Sequence, residues 1–471
     1  MRGVTTAIVL GLLTGTTAVA AATAPAQGRG EAPAAVRAQA RDIFETIVAM
    51  QTSEGHGQVP VMAQYLAARF KAAGFPAEDI EIRPLGETAS LVVRYRGSNR
   101  QARPILLLGH MDVVEARAED WERDPFTLIE ENGYFYGRGT ADIKNEVALI
   151  TTTFLRLKAE GFVPARDMVI AFSGDEETAM LTTRDLAKHL AGAEYALNGD
   201  GGQGVLNDET GKPEVYYIQG AEKYYASFEL TARNPGGHSS EPRADNAIYD
   251  LADALEALRR YQFPVMWNDW TLGNFAATAK VTPGPIGAAM AKFAANPRDE
   301  AAVQALSASP QFVGKLRTTC VATLLKGGHA ENALPQSATA TVNCRVFPGT
   351  PVEDVKSALQ QLAGDKVEVK GIGDPQPSDP SPLRPDVVAA VKAAVHADFP
   401  GVPIVPEMAA YATDGSVFRR AGIPTYGACS LFIRGKDEYS HGLNERIEVA
   451  SFYAGLDHWY LLLKDLAGAK H

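Results

Sequence analysis

Cysteine is scarce in this chain of 471 residues, which holds only Cys320, Cys344 and Cys429. Three cysteines with no CxxC spacing exclude a thiolate zinc finger and a small disulfide-built scaffold. Basic residues are outnumbered, 45 Lys and Arg against 56 Asp and Glu, for a net charge of -11. That balance argues against a nucleic-acid partner, which needs a basic face. No GxSxG elbow occurs, so a serine hydrolase of that type is excluded. Beyond the N-terminus no apolar run reaches the ~20 residues a membrane span needs, and no internal repeat is visible.

What is present is an ordinary globular composition, 46% apolar, long enough for two or three domains. The N-terminus reads as a signal peptide over residues 1–22. Arg2 supplies the positive start, Ala7 to Val19 is small and apolar, and Ala18-Val19-Ala20 or Ala20-Ala21-Ala22 fits a cleavage site. An anchor that is never cut is the alternative, and the shortness of the run argues against it. The mature protein is expected to be exported, periplasmic or secreted, with no membrane attachment after cleavage. Residues 23–35 are rich in Ala, Pro and Gly and read as a linker. An oxidising compartment leaves a Cys320–Cys344 bridge open, since both fall on predicted neighbouring strands; Cys429 is left over and expected to be buried.

Helical stretches at 36–50 and 60–73 are followed by alternating strand and helix patterns. Strands are expected at 90–95, 105–108, 168–172 and 195–197, and helices at 147–157 and 183–190. That alternation predicts a mainly parallel sheet covered on both faces. From about Ala221 the order becomes β-α-β-β-α-β, that of a ferredoxin-like sandwich, and from about Pro380 α/β alternation returns. The expected organisation is an α/β domain, 36–220 and 374–471, interrupted by an inserted α+β domain at 221–373. Residues 262–316 fit neither pattern.

The chemistry lies where the strands end. Ile105-Leu106-Leu107-Leu108 runs into Gly109-His110-Met111-Asp112, Val169 to Phe172 into Gly174-Asp175-Glu176-Glu177, and Tyr195 to Leu197 into Asn198-Gly199-Asp200. Open α/β sheets bind ligands at the carboxyl ends of their strands, so these groups should meet in one crevice. Any one of them alone is an ordinary cap or turn residue, and Glu176-Glu177 alone a solvated helix start. Together they form a set of carboxylates that needs cations, and imidazole with carboxylate suits Zn²⁺, with Mn²⁺ or Co²⁺ as substitutes. Asp112 is placed to accept the second imidazole N–H of His110. Gly137-Arg138-Gly139-Thr140-Ala141-Asp142 fits neither phosphate-loop pattern but brings another acid to the start of a helix, and Ser440-His441-Gly442 offers a histidine in a turn.

These motifs, with Pro235-Gly236-Gly237-His238-Ser239-Ser240 and His441-Gly442-Leu443-Asn444-Glu445, resemble the M20 metallopeptidases from about residue 40 to the C-terminus. That family includes carnosine-type dipeptidases, glutamate carboxypeptidases, aminoacylases and succinyl-diaminopimelate desuccinylases. The resemblance implies a zinc-peptidase-like catalytic domain with a ferredoxin-like lid and dimerisation domain, and a homodimer formed through that lid. It implies two Zn²⁺ per subunit, one held by His110 and Asp200 and the other by Glu177 and His441, with Asp142 bridging. Glu176 becomes the general acid/base, Asp112 the partner of His110, and the peptide bond after Asp142 is expected to be cis. His238, Asn332 and Arg345 match substrate-binding positions of the lid, and Gly415, within Thr413-Asp414-Gly415-Ser416, is expected in the same pocket. His56, His189, His329, His396 and His458 lie outside the motifs and read as structural or exposed. The implied reaction is amide hydrolysis in a dipeptide or short peptide, which Asp rather than Glu at position 200 favours. The alternative is an N-acyl-amino-acid deacylase. A catalytically dead metal-binding relative is disfavoured by the presence of Glu176.

Overall fold

The computed structural model describes residues 32–468. The expected signal peptide and the linker up to residue 31 lie outside the described residues. The end of the expected linker is already part of the fold. Ala32 is buried, Pro33 caps the helix Ala34–Val48, and proline's fixed φ suits that entry.

A ten-stranded sheet organises the larger body. At its centre Met168–Ser173, Ile105–His110, Tyr195–Asn198 and Thr425–Gly427 run parallel and adjacent. Antiparallel pairs enter on the flanks, with Thr88–Tyr95 against Met168–Ser173 and Pro213–Glu222 against Gln203–Leu206, while Ile404–Ala409 and Phe432–Arg434 add parallel pairs, so the sheet is mixed. The central strands are buried on both faces, which is why they read as continuous apolar runs. Ile105 and Leu107 face the core built with Leu149, Ile150 and Trp459 from the helices Lys144–Ala159 and Val449–Ala467. Leu106 and Leu108 face the opposite core, with Leu186 and Phe418 from Leu181–His189 and Asp414–Arg420. Each such side chain contributes roughly 1.5–3 kcal/mol on burial, so the strand that ends in His110 is held firmly from both sides.

The second sheet has four antiparallel strands in the order Thr319–Gly327, Ser337–Val346, Tyr224–Arg233, Val367–Ile372. With the helices Ala247–Arg260 and Val352–Ala363 on one face, this is the ferredoxin-like arrangement. Period-two alternation decides the faces: Ala338, Ala340, Val342, Cys344 and Val346 meet the helices, and Thr339, Thr341, Asn343 and Arg345 face away. Cys320 lies opposite Cys344 and the two form a disulfide, tying the edge strand to its neighbour; Cys429 is free and buried. Lys223 alone separates the last residue of Pro213–Glu222 from the first of Tyr224–Arg233, so the chain passes from one sheet to the other without a loop.

Residues 262–316, unreadable in the sequence, contain the helices Asp269–Thr278, Gly284–Ala295, Glu300–Ser307 and Pro310–Val313. The first packs on the large sheet, where Trp270 donates to the Ser381 carbonyl and Asn274 to the Pro406 carbonyl. No helix of the described residues is long and apolar enough to cross a membrane.

Candidate active site

His110 is the last residue of its strand and is buried. Its Nε2 lies 3.0 Å from Asp142 Oδ1 and 4.0 Å from Asp200 Oδ2. On the far side of Asp142, His441 Nε2 stands 3.2 Å from Oδ2 and 3.0 Å from Glu177 Oε1. Asp142 thus presents one oxygen to each imidazole. Ligand atoms of His110, Asp142 and Asp200 all lie within 4.8 Å of one another, as do those of Asp142, Glu177 and His441 and those of His110, Glu176 and Glu177.

Local structure explains these placements. Glu176, Glu177 and Asp200 follow the two strands that flank His110, so parallel pairing brings all three turns to one edge. Asp142 arrives on the glycine-rich loop that opens Lys144–Ala159, and the Asp142–Ile143 peptide bond is cis. Gly139 has φ +85°, and a Cβ there would come within 2.8 Å of the buried Lys144 side chain, so the loop needs glycine on both counts. His441 sits at φ 64° in a tight turn before the final helix.

Asp112 does more than its expected part. His110 Nδ1 meets the main-chain carbonyl of Asp112 at 2.9 Å, with the carboxylate farther off at 3.6 Å. The carboxylate instead accepts the backbone N–H groups of Glu176 and Glu177 at 3.1 and 3.0 Å. Two residues of extended chain bring the carbonyl, rather than the side chain, under the ring. Asp112 therefore steadies the Glu176–Glu177 turn as well as the imidazole.

The electrostatics follow from packing acids in a low-dielectric pocket. Burial, with the charges of Asp200, Asp414 and Glu177 adding to it, pushes the Glu176 carboxyl well above the usual range against the pull of His110. Burial and the neighbouring Asp142 do the same to Asp200. Burial also opposes ionisation of Asp142, but the hydrogen bonds from His110 and His441 outweigh it and hold that carboxyl well below its ordinary value. Those bonds in turn raise His441 to about 10. Without a metal, the imidazoles themselves carry the positive charge the carboxylates require. A divalent cation offers the same charge and takes up the nitrogen lone pairs, so the donor set fits Zn²⁺ or a similar ion.

A cavity of about 520 Å³ opens beside this cluster. Asp142, Glu176, Glu177, Asp200 and His441 line it, together with Gln203, Tyr411, Thr413, Cys429 and Glu438. No Lys or Arg is among its lining residues. The remaining expected residues lie elsewhere. Gly415 is behind the wall: its N–H is turned onto Thr413 Oγ1 and a Cβ there would face Glu222, so Thr413 rather than Gly415 reaches the cavity. His238 and Asn332 come together, the first paired with Ala333 in a two-stranded ribbon and the second accepting the Ser239 N–H. Arg345 lies on the open face of the four-stranded sheet, its guanidinium over the Tyr225 ring. None of these three lines the cavity, because all belong to the smaller sheet's unit. Of the lining residues that sequence reasoning passed over, Cys429 was signalled as the odd cysteine and Gln203 by its closeness to Asp200. Tyr411 and Glu438 carried no signal, since each sits in a loop outside any motif.

Residues 106–465 match the family model described as peptidase family M20/M25/M40. The chain belongs to the M20 peptidases. In sequence it is 30% identical over 370 residues to the N-fatty-acyl-amino acid synthase/hydrolase PM20D1 of Xenopus tropicalis, covering 76% of this chain and 71% of that one. In structure it resembles the M20 metallo-carboxypeptidase Sso-CP2 of Sulfolobus solfataricus, with a TM-score of 0.67 at 18% identity, covering 90% of this chain and 98% of that one. It also resembles the Bacillus subtilis YXEP protein, described as a dinuclear metal-binding M20 peptidase, with a TM-score of 0.60 at 12% identity, covering 92% and 99%. The M20 family is metal-dependent, and its members near this chain include peptidases and acyl-amino-acid hydrolases. This M20 chain is a hydrolase of peptide or amide C–N bonds.

Proposed function

We propose that this M20 hydrolase is an exported enzyme that uses two divalent ions, zinc in the first instance, to cleave the amide bond of an N-acyl amino acid. The observation that carries the reading is the position of Asp142 between His110 and His441, with Glu176 beside them in the cavity. His110, Asp200 and Asp142 would hold one ion, and Glu177, His441 and Asp142 the other. Such a pair supplies Lewis acidity toward the scissile carbonyl and an acidified water. Glu176 accepts the proton of the attacking water on its carboxylate and delivers it to the leaving nitrogen. Its carboxylate accepts no hydrogen bond from a described residue, and burial raises its proton affinity, both of which suit that duty. Asp112 keeps Glu176 in place through the backbone N–H it accepts.

No Lys or Arg among the described residues lines the cavity to receive the substrate's α-carboxylate. Arg345 makes no ion pair with a described residue and has the planar fork that suits a carboxylate, so it is our candidate clamp, with His238 and Asn332 as further contacts from the smaller unit. Relatives 28–30% identical to this chain are N-fatty-acyl-amino acid synthase/hydrolases, and this favours an acyl substrate. A dipeptide reading is favoured by Asp200 and by Glu438 at the cavity wall, where a free amino group would find a carboxylate. Turnover of a panel of N-acyl amino acids should exceed that of the matching dipeptides by roughly tenfold or more in kcat/KM, an ordinary span for pocket discrimination. The reverse preference would transfer the assignment to a dipeptidase.

Export is supported by Arg2 and the apolar run Ala7 to Val19, and by the Cys320–Cys344 bridge, which persists in an oxidising compartment. A homodimer is supported by the edge strand Thr319–Gly327, whose unpaired side and exposed Val321, Leu324 and Leu325 invite a second strand. Light scattering should give twice the chain mass. The double substitution Leu324→Lys and Leu325→Lys should return it to one, and an unchanged mass would move the interface elsewhere.

A further inference from the structure

The turn that carries His441 ends in Glu445, and the loop that carries Asp142 begins with Arg138. The two meet inside the protein. The Arg138 and Glu445 side chains are 3% and 0% exposed, with Nη1 donating to Oε2 at 2.6 Å. Most of the rest of each group is spent on the opposite loop, and only the buried Arg138 Nε has no hydrogen-bond partner among the described residues. Glu445 Oε2 also accepts the Gly139 N–H at 3.1 Å, and Oε1 accepts the N–H groups of Ala141 and Asp142 at 2.7 and 3.0 Å. Arg138 Nη2 reaches across to the carbonyls of His441 and Gly442 at 3.3 and 3.2 Å. A main-chain bond from Gly137 N to the Glu445 carbonyl, 3.1 Å, closes the junction.

A buried ion pair is weak evidence for stability, because desolvating two charges cancels much of their attraction. Here the pair does something more specific. Every hydrogen bond of the Glu445 carboxylate ends on the loop that presents Asp142, and the second arm of Arg138 ends on the backbone of His441 itself. These two loops lie some 300 residues apart in sequence. The strands beside them pair through Arg446 and Tyr136, and Asp142 and His441 touch directly at 3.2 Å, but Arg138 and Glu445 are what tie the backbones of the two loops to each other at the site. We infer that Arg138 and Glu445 are positioning residues that set the spacing of Asp142 and His441, and so the affinity of the metal position that those two share with Glu177. The inference rests on the metal-hydrolase reading above.

The test is Zn²⁺ titration by calorimetry into the metal-free full chain, wild type beside Glu445→Gln, Glu445→Asp and Arg138→Lys. The metal-free unfolding temperature of each is recorded in parallel. Glu445→Gln keeps the shape but turns an amide donor toward at least one of the donors it faces. Its Zn²⁺ binding at one position should weaken about 10–100-fold, the usual cost of losing a partner behind a ligand. Added Zn²⁺ should restore much of its kcat. Glu445→Asp, which keeps the charge, should recover part of the loss. Arg138→Lys keeps a charge for Glu445 but surrenders the arm on His441, and should weaken the same position. A lowered unfolding temperature with Zn²⁺ constants within twofold of wild type would make the pair merely structural and overturn the inference. If Glu445→Gln does not fold, Arg138→Lys decides alone, and unaltered Zn²⁺ binding in it overturns the inference. A wild type that binds no Zn²⁺ would instead remove the metal-hydrolase reading, and the inference with it.

Discussion

Glu176→Gln should lose about 10²–10⁴ of kcat, the usual worth of a positioned proton-transfer group, while the zinc content and the fold stay as they are. The substitution is nearly isosteric, and the Glu176 contact that orders the turn is its backbone N–H on Asp112, which the change leaves alone. What is lost is a carboxylate with high proton affinity next to the cavity. KM should move little, because the group acts on the water and the leaving nitrogen rather than on binding. The measurement is steady-state kinetics beside elemental analysis of the same preparation. Near-normal turnover would take Glu176 out of the mechanism, and lost metal would make it a ligand instead.

Asp142→Ala should be more severe, since one carboxylate faces both imidazoles. Its removal should weaken zinc binding at both positions together, by more than the 10–100-fold of a supporting residue, and abolish measurable turnover. Full zinc occupancy in that variant would contradict the bridge. The wild type should show a matching pH dependence. Metal-free His441, raised to about 10 by its hydrogen bonds to Asp142 and Glu177, holds a proton that the metal must displace. Zinc affinity should therefore rise with pH up to that value, with proton release on binding. The stability that the raised value lends the metal-free protein is fully present below pH 6.5 and is lost as pH climbs toward about 10. Calorimetry in buffers of different ionisation heat reads the protons, and thermal melts of the metal-free chain read the stability. Pure heat of binding, independent of buffer, would argue that the imidazoles are neutral and that the charge is balanced elsewhere.

Much of this site was legible before any fold was known, for a plain reason. Strands buried on both faces are written as continuous apolar runs, so the residue at which Ile105–Leu108 or Val169–Phe172 stops is visible as a change of character. In a parallel sheet those stops share an edge. His110, Glu176, Glu177 and Asp200 follow from that alone. The helices Asp269–Thr278 and Gly284–Ala295 were not legible, because the first divides its apolar residues between the large sheet's core and a small core of its own, and the second serves that small core alone. Pro213–Glu222, which pairs with strands on both sides before handing the chain to the smaller sheet, was missed for a similar reason: its burial changes along its length.

By itself the sequence determined the kinds of ligand and the strand ends they follow, because side-chain chemistry and local periodicity are properties of neighbouring residues. Which oxygen of Asp112 meets His110, that Thr413 rather than Gly415 faces the cavity, and that Arg138 and Glu445 lock two distant loops together were decided only by tertiary structure. Each is fixed by contacts with distant parts of the chain: the Asp112 carboxylate is drawn off by Glu176 and Glu177, Thr413 is held by Glu222, and Arg138 meets Glu445. Such contacts are set by packing of the whole core, and no local pattern records them.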